Sequence, residues 1–169
     1  MALREILKIP DKRLRLVSEP VKRIDAGIRA LVDDMFETMY DAPGIGLAAP
    51  QVGIAKRIIV VHVGDDDGPF AIVNPVLSDF DGESVATEGC LSIPGKIGDV
   101  TRAEKCTVTG LDRYGKKFRL ETEGLLARCF QHEVDHLDGV LIIDKATDIR
   151  EAVPLEAQSE AEAGRELQA

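Results

Sequence analysis

The chain has 169 residues, with 30 acidic against 21 basic side chains and a formal net charge of −9. At this length a single domain buries roughly two-thirds of the surface its unfolded chain exposes, so neither a disulfide nor a metal is needed merely for folding. A 44% hydrophobic and 30% charged composition excludes a wholly disordered chain, and the acidic balance argues against direct nucleic-acid binding, which selects a basic face.

The N-terminus, Met-Ala-Leu-Arg-Glu-Ile-Leu-Lys-Ile-Pro, mixes charged with apolar residues and has neither a long apolar core nor a small-residue cleavage site, which predicts a cytoplasmic protein. No run approaches the ~20 apolar residues of a membrane span; the longest, Ile58 to Val63, is interrupted by His62. Pro10 to Val21 reads as turn-rich and extended. From Ile28 the apolar residues Ile28, Leu31, Val32, Met35, Phe36 and Met39 form one helical stripe, with Asp25 as N-cap and Asp41-Ala-Pro-Gly44 as the end. Strands are expected at Arg57 to Val63, Phe70 to Val76, Lys105 to Leu111, Lys117 to Glu121 and Val140 to Asp144, separated by Gly and Asp turn signals.

A second helix is expected over Gly124 to Leu137, with Gly139 as its C-terminal stop. Two helices among short antiparallel strands predict an α+β domain, with the strands packed around the second helix. That domain is expected to occupy 1–149. Residues 150–169 are Ala/Glu-rich, with five acids against two arginines, and are expected to form a helical or frayed tail. Cys90, Cys106 and Cys129 are an odd, scattered set that fits free thiols in a reducing compartment.

The second helix carries His132-Glu133-Val134-Asp135-His136, an HExxH motif. Four residues advance a helix by ~400°, so the two imidazoles share one face about 6 Å apart along the axis, as needed to grip one metal ion. Glu133 then lies near enough to act on water at the metal without ligating it. The motif's face continues through Cys129 and Leu125 into the apolar stripe, so the histidines point inward, where two of them without a ligand would be costly.

The third ligand has two candidate sources. A metzincin-type HExxHxxGxxH motif fails, because Gly139 is in register but Ile142 stands where the third His belongs. A zinc metallopeptidase of the other HExxH kind would recruit a downstream Glu, here Glu156. The alternative is the thiolate of Cys90, in Glu88-Gly89-Cys90-Leu91-Ser92, where the preceding glycine allows close backbone approach. Cys106 and Cys129 read as small buried hydrophobes. Gly44-Ile45-Gly46-Leu47-Ala48-Ala49-Pro50-Gln51 is a tight Gly/Ala connection without the pattern of a phosphate loop.

These three segments, Gly44 to Gln51, Glu88 to Ser92 and Gln131 to Gly139, together resemble the signature motifs of peptide deformylases, GIGLAAxQ, EGCLS and QHExDHLxG, and the resemblance runs from Ile9 through Arg102-Ala103-Glu104-Lys105 to Leu141. It implies a hydrolase that removes the N-formyl group from the initiator methionine of nascent polypeptides and releases formate. Cys90, His132 and His136 would hold one divalent metal ion, Fe(II) in cells and replaceable by Zn, Ni or Co. Glu133 would be the general base, and the Gln51 side chain and Leu91 N–H would meet the oxyanion.

The resemblance further implies that substrate lies extended along Gly44 to Gly46 and Glu88 to Gly89, with its methionine against Ile45, Leu125 and Cys129. Arg128 stands where the family more usually has an aliphatic residue; its stem is expected along the mouth of this pocket with its head in water, altering downstream preference. Arg102 matches an arginine expected to hold the cysteine loop. Relatives often end in a basic helix that docks on the ribosome, whereas residues 150–169 net −3, so transient ribosome contact is not expected through that route.

Overall fold

The computed structural model describes residues 2–152 and the backbone of residues 167–168. In chain order it contains helix α1 (Ala26–Asp41), strands β1 (Gly46–Ala48), β2 (Ile58–Val63), β3 (Asp67–Asp81), β4 (Ser84–Cys90), β5 (Ile93–Arg102), β6 (Lys105–Leu111) and β7 (Lys117–Glu123), helix α2 (Gly124–Leu137), and strands β8 (Thr147–Glu151) and β9 (Leu167–Gln168). Short 3-10 turns at Lys12–Arg15, Ala49–Val52 and Ile142–Asp144 connect them. One sheet has the order β1-β2-β3-β6-β7 and the other β8-β5-β4-β9, antiparallel throughout except for the β4–β9 pair.

Successive side chains of β2 point to opposite faces, and both faces are covered. Ile58 and Val60 join a core with Ile28, Leu31, Val32, Met35 and Met39 of α1, while Ile59, Val61 and Val63 join Leu126, Cys129, Phe130 and Leu137 of α2. The larger sheet is thus sandwiched between the helices. A third cluster, Cys90, Ile93, Val100, Leu141 and Ile142, closes the smaller sheet.

Both expected helices form. The Asp25 carboxylate accepts the Ile28 N–H at 3.0 Å and caps α1. Beyond α2, Gly139 takes φ +73°, where a Cβ would lie 2.5 Å from the Arg15 carbonyl oxygen. That conformation and close approach admit only glycine.

The strand expected at Val140 to Asp144 does not form. Val140 N–H returns to the Asp135 carbonyl, and Asp144 accepts the Leu141 N–H while pairing with Arg15, so local capping bends the segment into a 3-10 turn. Strand β3 extends well beyond Phe70 to Val76 at both ends; Asn74 adopts φ 54° and the register shifts between Val73 and Val76, which accommodates Pro75 at a bulge. Strands β1, β5, β8 and β9 were not among the expected ones, and β4 is the strand-like stretch that leads into Cys90. In β5 the glycines dilute the strand pattern, yet a Cβ on Gly98 would lie 2.7 Å from Ala146 Cβ, so the close packing of this sheet requires one of them.

Strand β8 pairs with β5 through Lys96↔Glu151 and Ile97↔Arg150. Arg150 and Glu151 therefore belong to the sheet rather than to the tail expected from residue 150. Residues 153–166 of that tail, Glu156 among them, lie outside the described residues.

Candidate active site

The residues singled out by motif converge from three elements. Cys90 ends β4 at a register shift against β5, His132 and His136 lie on the buried face of α2, and Gln51 closes the 3-10 turn after β1. Cys90 Sγ, one nitrogen of His132 and one of His136 all lie within 4.8 Å of one another, and Cys90 Sγ is 3.4 Å from His136 Nε2. Among the described residues, Cys90 is the third donor that stands with the histidine pair.

A thiol and two imidazoles form a donor set suited to a first-row divalent ion. The rest of the site fits such an ion. His132 Nε2 and both carboxylate oxygens of Glu133 are buried without a hydrogen-bond partner, a costly arrangement unless something polar sits among them.

The electrostatics separate the ionisable groups. Burial holds His136 well below the usual imidazole range, which favours the neutral form that ligation requires. Burial also pushes the Glu133 carboxyl up to about 7, against the opposing pull of His132 and Arg102. A carboxyl poised there can exchange a proton near neutral pH. Burial raises the Cys129 thiol far above its ordinary value and the Cys106 thiol as well, leaving both as neutral core groups.

Glu133 is positioned by absence of bulk. A Cβ on Gly46 would lie 2.4 Å from Glu133 Oε2 and 2.9 Å from Cys129 Sγ. Cys129 Sγ in turn lies 3.6 Å from the Ile45 carbonyl, which also accepts the His62 N–H. The Gln51 amide is oriented by the Ala48 N–H, which donates to Oε1 at 3.0 Å; Nε2 then faces Ser92 Oγ at 3.1 Å and Cys90 Sγ at 3.8 Å. The N-terminal segment fastens both sides of this arrangement, with Leu7 N–H on the Gln51 carbonyl and Ile9 N–H on the Ser92 carbonyl. Gly89, Cys90 and Leu91 border an open cleft of about 390 Å³ with Ile93, Lys96 and Ile6.

The Glu88 carboxylate is fully buried, with Oε1 2.8 Å from His132 Nδ1 and both oxygens paired with Arg102 at 2.6 and 2.9 Å. Burial alone would raise its pKa, but hydrogen bonds from His132 and Arg102 hold it well below the usual carboxylate range. Arg102 also reaches Asp135 at 2.9 Å and so joins β5 to α2, just behind the cysteine loop.

Arg128 corrects its expected place. Its head is not in water; the residue is 4% exposed and its guanidinium donates to Glu88 Oε2 at 2.6 Å, the Val100 carbonyl at 2.9 Å and Ser84 at 2.8 and 3.0 Å. A buried carboxylate outweighs the pull of solvent on an arginine that lies one helical turn before His132. Leu125, by contrast, is 48% exposed on the rim of α2. Ser92, Asp135 and Ser84 were missed as site residues. The first two lay inside the motifs already recognised, whereas nothing local marked Ser84.

The match to known proteins agrees with this geometry. A family model described as polypeptide deformylase matches residues 3–152. The chain is 56% identical over 151 residues to the peptide deformylase of Symbiobacterium thermophilum, covering 89% of this chain and 70% of that one, and 51% identical to that of Halothermothrix orenii, covering 89% and 98%. Among solved structures, a peptide deformylase from Legionella pneumophila superposes with a TM-score of 0.83 at 49% identity, covering 86% of this chain and 87% of that chain. One from Ehrlichia chaffeensis in complex with actinonin gives 0.85 at 42% identity, covering 88% and 91%. With its thiol, two imidazoles and buried glutamate assembled in the same fold, the chain belongs to the polypeptide deformylase family.

Proposed function

We propose that the chain hydrolyses the N-formyl group from the initiator methionine of nascent polypeptides and releases formate, with Cys90, His132 and His136 holding one divalent ion, Fe(II) in cells and replaceable by Zn, Ni or Co. The observation that carries this reading is the unpartnered Glu133 carboxylate, buried beside a three-donor set. A divalent ion bound there supplies Lewis acidity, lowering the pKa of a water and polarising the formyl carbonyl.

Glu133 takes the proton of the attacking water and returns it to the departing amine, so one carboxyl serves both steps. The Gln51 amide, with Nε2 facing the cysteine, and the Leu91 N–H donate to the developing oxyanion. Substrate lies extended along Gly44 to Gly46 and Glu88 to Gly89, with its methionine toward Ile45, Leu125 and Cys129. The backbone of Leu167–Gln168 pairs with Glu88 and Gly89 in the structure, which supports an edge able to accept an added strand. The partners are formyl-methionyl nascent chains and, transiently, the ribosome that presents them in the cytoplasm.

The test is formate release from formyl-Met-Ala-Ser by anaerobically purified protein, beside Glu133→Ala, with metal analysis of both. Formate from the parent alone, with about one metal per chain in each, is expected. Metal in both without formate from either would reject this acyl group, and a parent without metal would reject the assigned ligands.

A further inference from the structure

The metal donors come from two elements, Cys90 on β4 and the histidines on α2, so something must hold those elements in register. Arg128 bridges them. It lies four residues before His132 on α2, and its guanidinium meets Glu88, which lies two residues before Cys90 on β4. The i, i+4 and i, i+2 spacings put each pair on one face of its own element.

The Glu88 carboxylate has its two oxygens fully engaged. Oε1 faces Arg102 and His132 Nδ1; Oε2 faces Arg102 and Arg128. The remaining Arg128 donors reach Ser84 at the start of β4 and Val100 on β5. Arg102 meets both Glu88 oxygens from β5 and Asp135 through its third nitrogen, whereas Arg128 meets Oε2 from α2 and ties it to Ser84 and Val100, so the two arginines hold the carboxylate from different elements. Two guanidiniums and the Glu88 carboxylate are buried together, with the half-buried Asp135 carboxylate at the edge shared between Arg102 and Lys145, and removal of Arg128 strips one donor from Glu88 Oε2 and the donors from Ser84 and the Val100 carbonyl.

We infer that Arg128 is a positioning residue: it fixes the Glu88 carboxylate against His132 Nδ1, and thereby aims His132 Nε2 at the metal and holds β4, with Cys90, against α2. This inference rests on the metal reading of Cys90, His132 and His136. An outer partner of a ligating histidine commonly contributes 10- to 100-fold to metal affinity.

The test is Co(II) affinity, by competition with a chelator, and the Co(II) absorption spectrum of parent, Arg128→Met, Arg128→Lys, Glu88→Gln, the Glu88→Gln/Arg128→Met double variant and Cys90→Ala. Arg128→Met is expected to bind Co(II) about 10-fold more weakly with altered thiolate and d–d bands. Arg128→Lys, which retains a charged donor for Glu88, is expected to recover most of that loss. The double variant is expected to be no weaker than Glu88→Gln, since both changes act through one carboxylate.

Parent-like affinity and spectrum in Arg128→Met, or losses that add in full, would overturn the inference. A shift in KM with the residue after methionine at unchanged Co(II) affinity would also overturn it and return Arg128 to the substrate pocket. If Arg128→Met does not fold, Arg128→Lys carries the comparison: a spectrum and affinity between those of Glu88→Gln and parent support the inference, and a loss that adds in full to that of Glu88→Gln in the Glu88→Gln/Arg128→Lys double variant overturns it. Parent-like Co(II) binding by Cys90→Ala would reject the metal reading itself, a separate outcome.

Discussion

Gly46 and Gln51 show how little freedom the atoms of the candidate site have. With a Cβ placed 2.4 Å from Glu133 Oε2, Gly46→Ala must displace either the carboxylate or β1. A misplacement of about 1 Å can cost ~10²-fold in rate, so Gly46→Ala is expected to keep its metal and lose about that much kcat, measurable by formate release beside metal analysis. Gln51→Ala is expected to lower kcat by ~10² to 10³ with metal content unchanged, the usual consequence of losing one oxyanion donor. A fall in metal content would instead assign the amide to supporting Cys90, which it faces at 3.8 Å.

Much of this residue set was readable from motif spacing. The HExxH spacing put His132 and His136 on one face and the family resemblance added Cys90, and donor atoms of these three lie within 4.8 Å of one another. The partners of Glu88 and Arg128 were not readable, because their contacts span 40 and 44 residues of chain. No local pattern says which arginine a buried carboxylate will recruit.

At the scale of elements, α2 has two duties. One face presents the HExxH residues and the other, through Leu126, Phe130 and Leu137, packs on the larger sheet. Phe130 is fully buried and meets Phe70 at a centroid distance of 6.0 Å. Phe130→Ala is expected to cost about 3–5 kcal/mol, read from urea unfolding at constant m-value. The helices were legible because a 3.6-residue apolar stripe and end signals such as Asp25 and Gly139 are local. The smaller sheet was not legible: β5 contains Pro94, Gly95 and Gly98, and only its pairing with β4 and β8 makes it a strand.

For the whole molecule, distant segments are tied by ion pairs whose carboxylates are acidified. Arg15 holds Asp144 below its ordinary value of 3.8 across 129 residues of sequence. Burial would raise Asp34, but the Ala2 N–H and Arg4 on the N-terminal segment lower it overall. A carboxylate with a depressed folded pKa stabilises fully above its unfolded pKa, and that contribution disappears as pH falls through the folded value. Asp144→Asn is therefore expected to have a lower Tm than the parent at pH 7, with the gap closing below pH ~4. A gap that stays constant with pH would show that the charge of Asp144 is irrelevant.

The sequence by itself determined the α+β class, both helices with their ends and the shared helical face of His132 and His136, because each depends on periodicity or spacing within a short stretch, whereas Cys90 joined that pair through the family resemblance. The tertiary structure alone decided that Val140 to Asp144 turns rather than extends, that β4 and β5 build a second sheet, and that Arg128 points inward. Each of these depends on a group far away in the chain: Arg15 for Asp144, Ala146 for Gly98, Glu88 for Arg128. Burial then converts that proximity into energy, because a charge or backbone group removed from water must find its partner inside the fold.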